Sequence, residues 1–153
     1  MKRTLIALLV AFLCFASAEA QTIALQNKTP RFKHAKWLNG NVPQRSDFAY
    51  IGFIHSASEP CRVESERIYD MVSKMEYMTF VLISSQDAGN ISDWVMRYIT
   101  PRAGVIVDDD YIRKAFGVSY APFAVIVDHK RRALWFGNPQ LLDHKQIEKL
   151  TRK

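Results

Sequence analysis

The chain has 153 residues, 48% of them hydrophobic and 24% charged, with 21 Lys and Arg against 15 Asp and Glu for a formal net charge of +6. That length holds one domain with a real core, and that balance excludes an intrinsically disordered chain. The sequence contains no repeat, low-complexity tract or second domain.

Lys2 and Arg3 precede an apolar run over residues 5–15, which gives way to Ala16-Ser17-Ala18-Glu19-Ala20. A basic start, a short apolar stretch and an Ala-x-Ala site predict a secretory signal peptide over residues 1–20, cleaved after Ala20, with Ala18 as the other candidate. A lipoprotein signal ending at Cys14 fits less well, because Leu13 is bulky where a small residue is expected. The run is shorter than the ~20 residues of a membrane span, so no integral span is expected after cleavage. The expected location is the periplasm of a Gram-negative bacterium. Loss of Lys2, Arg3 and Glu19 leaves a charge of +5, and loss of Cys14 leaves Cys61 alone. In an oxidising compartment a single cysteine is either buried and inert or free to pair with another molecule. The basic excess fits an acidic partner, an anionic surface or scattered solvated side chains, and export argues against nucleic acid.

Residues 21–46 are polar and mixed, punctuated by Pro30, Gly40 and Pro43, and read as an N-terminal extension before a domain over residues 47–153. The apolar run "DFAYIGFIH" (residues 47–55) predicts a central strand buried on both faces. "SEPCRVESERIYDMVSKM" predicts a helix capped by Ser58, with Glu59 and Pro60 in its first turn and Ile68, Met71, Val72 and Met75 at helical spacing. "YMTFVLIS" (residues 77–84) predicts a second buried strand. "NISDWVMRYI" predicts a short helix capped by Ser92, with Trp94, Val95 and Tyr98 facing inward. Residues 103–108 predict a short strand, and "DDDYIRKAFG" a helix with an acidic first turn that stops at Gly117. "PFAVIVD" (residues 122–128) and "ALWFG" (residues 133–137) predict a hairpin around the turn "HKRR". A last amphipathic helix runs from about Asp143, with Ile147 and Leu150 on its buried side. This order predicts an α/β sandwich, a central mixed β-sheet flanked by helices.

A buried strand, a loop ending in Pro60-Cys61-Arg62, a long helix and a later Pro122 opening a strand together resemble the thioredoxin fold. The nearer likeness is to the exported TlpA-like and ResA-like thiol-disulfide oxidoreductases, whose motif is W-C-x-P-C-R-x-E. Here Pro60, Cys61, Arg62 and Glu64 match it, whereas Ala57 and Ser58 stand in place of the Trp and the first Cys. "KWLNGNVP" and residues 116–139 resemble further stretches of that branch, and the likeness covers roughly residues 35–152. It implies that Pro122 is the fold's cis-proline, Gly137 its late glycine and Cys61 its resolving cysteine. The Trp is missing as well as the Cys, which one laboratory Cys→Ser exchange would not produce, so the variation reads as natural.

Dithiol exchange needs an attacking thiolate at a helix N-terminus and a second thiol one turn later to resolve the mixed disulfide. Ser58 occupies the attacking position, and an alcohol is un-ionised near neutral pH and a far weaker nucleophile toward sulfur. The site expected from the resemblance is Cys61 as the redox-capable group, with Ser58, Glu59, Pro60, Ala121 and Pro122 forming a peptide-docking surface. The leading expectation is an exported protein that binds other exported proteins rather than catalysing exchange. The alternatives are a monothiol redox protein using Cys61 in mixed disulfides with partner thiols, and a homodimer linked through Cys61. A Ser58–His55 nucleophile pair lacks an acid to orient the ring. Asp108-Asp109-Asp110 read as helix caps, the four histidines have no ligand spacing, and the three Trp residues read as core or groove wall. No metal and no cofactor are expected.

Overall fold

The computed structural model describes residues 23–152, and the signal peptide expected over residues 1–20 lies outside them. Among the described residues six strands form one sheet: β1 (Lys36–Trp37), β2 (Phe48–Ile54), β3 (Met78–Ser84), β4 (Ala103–Val107), β5 (Phe123–Asp128) and β6 (Ala133–Gly137). Their spatial order is β1-β4-β3-β2-β5-β6. β3 pairs in parallel with β2 and with β4, while β1, β5 and β6 add antiparallel to β4, β2 and β5. Parallel neighbours require crossovers. The helix α1 (Glu59–Val72) joins β2 to β3, and a 3-10 turn (Asp93–Tyr98) lies between β3 and β4. The helix α2 (Asp110–Ala115) leads to β5, and α3 (His144–Thr151) follows β6. This is the expected α/β sandwich.

Alternation along the strands sorts the core into two layers. Tyr50 and Ile54 of β2, Phe80 and Leu82 of β3 and Ile126 of β5 meet Ile68 and Val72 of α1 and Ile147 of α3. On the other face Ile51, Phe53, Val81, Ile83 and Val125 meet Ile112 and Phe116 from α2 and the turn after it. Each fully buried Ile or Phe contributes roughly 1.5–3 kcal/mol, so both layers hold the sheet. Gly117 stops α2 at φ +68°; its N–H reaches Lys114 O and that of Val118 reaches Arg113 O, the paired bonds of a Schellman motif.

Three local features go beyond the sequence reading. The described part of the N-terminal extension joins the sheet: Lys36 and Trp37 pair with Val107 and Ile106, and Phe32, Ala35 and Trp37 pack on the α2 face. Farther upstream, Gln26 N–H donates to Ala133 O and Ala133 N–H to Asn27 O, covering the outer edge of β6 at its start. Residues 93–98 form a 3-10 turn whose Ser92 makes no side-chain cap, because its hydroxyl donates to Ser56 O instead. The "HKRR" turn is clamped at both of its ends. Asp128 accepts from the N–H groups of Lys130 and Arg132 and from the Arg132 guanidinium, while Arg131 donates to Thr29 O at 2.6 Å and Thr29 N–H donates to Arg131 O at 2.8 Å.

Candidate functional site

The carboxyl end of β2 delivers the chain into α1, and that junction holds the motif residues. Ser58 has extended backbone angles (φ −88°, ψ 117°), and its Oγ accepts from the Cys61 N–H at 3.5 Å, as a helix N-cap does. Its own N–H donates to His55 O, and its carbonyl accepts from Arg62 N–H. Glu59 and Pro60 follow, both exposed, and Glu59 pairs with Arg62. The hydrogen bonds from that guanidinium are the main cause holding the Glu59 carboxyl below the usual range.

Cys61 faces inward from the first turn and is 0% exposed, within the layer that contains Tyr50, Ile54 and Ile68. Its Sγ accepts from His55 N–H at 3.5 Å. One turn on, Glu64 is buried and pairs with Arg67, which also donates to Leu142 O at 2.8 Å and Pro139 O at 2.7 Å. Arg67 thereby ties α1 to the segment between β6 and α3. Burial pushes the Tyr50 phenol well above its ordinary value, and the Glu64 carboxylate adds to the shift.

The loop before Ser58 is fixed through Ser56, a residue that carried no signal in the sequence. Ser56 N–H donates to Gln86 Oε1 at 2.6 Å, Ser56 Oγ accepts from Ser92 N–H, and Ser56 O accepts from the Trp94 indole at 2.8 Å. Trp94 thus both packs on the core and bonds the loop. Ser56 lies between His55 and Ala57 with no periodic pattern around it, and its partners lie 30 or more residues away.

Pro122 directly precedes β5, and the Ala121–Pro122 peptide bond is cis. Phe53 of β2 pairs with Phe123, so the next residues outward put Pro122 beside Ile54 and Ala121 beside His55. A shallow cavity of about 170 Å3 joins the two strands here, lined by His55, Ser85, Arg113, Tyr120 and Ala121. Tyr120 stands 53% exposed with its ring edge-on to Phe123. Ser58, Glu59, Pro60, Ala121 and Pro122 therefore frame one end of the sheet, with Cys61 beneath it.

Ser58 and His55 do not form a nucleophile–base pair: His55 Nδ1 accepts from Ala57 N–H at 3.3 Å, and Ser58 Oγ is bonded to Cys61 N–H. The three consecutive aspartates serve separate purposes. Asp108 pairs with Lys36, Asp109 caps α2 through Ile112 N–H at 2.6 Å, and Asp110 pairs with Arg113 and Lys114. Among the described residues no three His, Cys, Asp or Glu side chains are grouped to hold a metal, and no helix is long and apolar enough to cross a membrane.

No protein-family model and no curated protein sequence matches the chain. Solved structures do. The thioredoxin domain of a thiol-disulfide oxidoreductase from Bacteroides vulgatus superposes with a TM-score of 0.66 at 14% identity, covering 85% of this chain and 99% of that one. A putative thiol:disulfide interchange protein DsbE from Chlorobium tepidum gives 0.61 at 16% identity over 84% and 95%. StoA from Bacillus subtilis gives 0.55 at 14% identity over 72% and 86%. At such identities the likeness shows the fold, which is thioredoxin-like.

Proposed function

We propose that this chain is an exported, periplasmic protein of the TlpA/ResA-like kind whose Ser58-x-x-Cys61 site binds other exported proteins and does not catalyse dithiol–disulfide exchange. One observation carries the reading: the attacking position holds a hydroxyl engaged in capping α1, while the remaining thiol, Cys61, is 0% exposed. Exchange requires a thiolate to attack one sulfur of a substrate disulfide and expel the other as a thiolate. Ser58 cannot form the sulfur–sulfur bond of that intermediate, and Cys61 would have no partner with which to release it.

What remains is the docking surface. Exposed Ala121 beside cis Pro122, with Tyr120 and His55 at the cavity mouth, offers backbone and an aromatic side chain to an extended segment of a partner, as in the family the motif resembles. The monothiol and disulfide-linked homodimer readings both need Cys61 in solvent, so its burial weighs against them.

The test is insulin reduction by the mature chain with dithiothreitol as the electron source. The expected rate equals that of dithiothreitol alone, and catalytic turnover overturns the reading. Non-reducing gels of the protein from its cells, wild type beside Cys61→Ala, are expected to show the same bands. A Cys61-dependent adduct favours the monothiol reading, or the homodimer where its mass is twice that of the chain.

A further inference from the structure

A sizeable cavity lies away from the Ser58–Cys61 junction. It encloses about 770 Å3 on the sheet face that α2 shares with the N-terminal segment. α2 has six residues and packs over Phe53 and Ile83, near the carboxyl ends of β2 and β3. The amino-terminal half of the same face is roofed instead by Phe32 and Trp37, which leave the space beneath them open. Its floor is Ala49, Ile51, Val81 and Val127, under that aromatic roof, and Val42, 65% exposed, stands at the mouth. From Phe48 to Ile54 along β2 is about 20 Å at ~3.3 Å per residue, which separates this mouth from the start of α1.

The rim is rich in arginine. Arg31, Arg45, Arg131 and His129 line it, and the carboxylate among the lining residues is Asp128. Asp128 is buried and already engaged by two N–H groups and the Arg132 guanidinium. Arg31 and Arg45 therefore border an apolar hollow whose acid is internally satisfied, while the Arg131 guanidinium is held at Thr29 O. Small-molecule sites are apolar concavities of ~300–1,000 Å3 with a few polar groups that fix orientation, and guanidinium pairs well with carboxylate.

We propose that this cavity is a binding site for a small amphipathic carboxylate, with its acyl or aryl body on the Ile51–Val81–Val127 floor and its head group at Arg31 and Arg45. This gives part of the basic excess a place in the fold that the docking surface does not use. The site is independent of Ser58 and Cys61, and its occupancy does not depend on the function proposed above.

The test uses dodecanoate below its micelle-forming concentration, titrated calorimetrically into the mature chain. Butyrate, with the head and almost no body, and dodecyltrimethylammonium, with the body and the opposite head, serve as comparators. Saturable one-to-one uptake of dodecanoate is expected, at least tenfold tighter than either comparator and weakened by added salt. Arg31→Glu and Arg45→Glu, changes at exposed side chains, are each expected to weaken binding at least fivefold while leaving the thermal midpoint in place. Ala49→Phe, which fills the floor, is expected to abolish binding. Should that variant unfold, the charge reversals decide alone. No saturable uptake by the wild type, equal uptake of the cation, or affinity unchanged in both reversed variants overturns the proposal.

Discussion

Cys61 should react with a thiol reagent only when the first turn of α1 opens, and the slowdown can be worked from the bonds that opening breaks. Exposing Sγ detaches the Ser58 cap from Cys61 N–H, worth about 1 kcal/mol. It breaks the Arg62 N–H bond to Ser58 O, about 1 kcal/mol more. It also brings a fully buried small side chain into water, about another 1 kcal/mol. The Glu59–Arg62 pair is exposed and adds little. A local opening of about 3 kcal/mol corresponds to a rate about a hundredfold below that of the unfolded chain. The assay is the absorbance change with Ellman's reagent, native mature chain against the same chain in concentrated urea. Ser58→Ala removes the cap alone and should speed the native reaction about fivefold. A native rate within tenfold of the unfolded one would refute the burial argument and return Cys61 to redox service.

Arg67→Ala leaves the buried Glu64 carboxylate unpaired, takes the donor from Leu142 O and leaves Pro139 O with the Leu142 N–H alone; the loss should be about 2–4 kcal/mol, read as a lower urea midpoint, with Glu64→Gln costing less. Gly104→Ala would place a Cβ 2.7 Å from Pro43 Cδ and 2.8 Å from Trp37 Cζ3; it should cost about 1–3 kcal/mol and shift tryptophan emission, whereas an unaltered spectrum would contradict the seating of Trp37 on β4. Burial alone would raise the Asp128 carboxyl, but the Arg132 N–H and guanidinium and the Lys130 N–H hold it below its ordinary value. Its stabilising share is therefore complete above about pH 4 and is lost as pH falls through the lowered value. Denaturation midpoints of wild type and Asp128→Asn should differ at pH 7 and converge in acid; a constant gap would exclude this linkage.

The core strands were legible because residues 48–54 and 78–84 are buried on both faces and so read as unbroken apolar runs. Local chemistry also announced the Ser58 cap and the Gly117 stop. β1 was not legible: two residues carry no period, and Lys36 gains its strand geometry from Val107, more than seventy residues away. Val95 and Tyr98 face inward at a spacing of three, which a 3-10 turn and an α-helix satisfy equally, and the competing bonds between Ser92 and Ser56 decided the outcome. Of the candidate site, the motif showed Ser58, Cys61 and Pro122, while the Ser56–Gln86–Trp94 support and the Arg67 clamp depend on contacts that no local pattern encodes.

The pairing of Gln26 and Asn27 with Ala133 also sets an order of events during synthesis. The N-terminal segment leaves the ribosome first, yet its backbone partner emerges more than a hundred residues later. Until then Phe32 and Trp37 have no complete sheet to roof, and the outer side of β6 does not yet exist. Closure of this molecule is thus a late, whole-chain event. A nascent chain released before residue 133 keeps a sticky aromatic arm at one end and an open β5 edge at the other, the combination that chaperones hold and that invites strand-to-strand association.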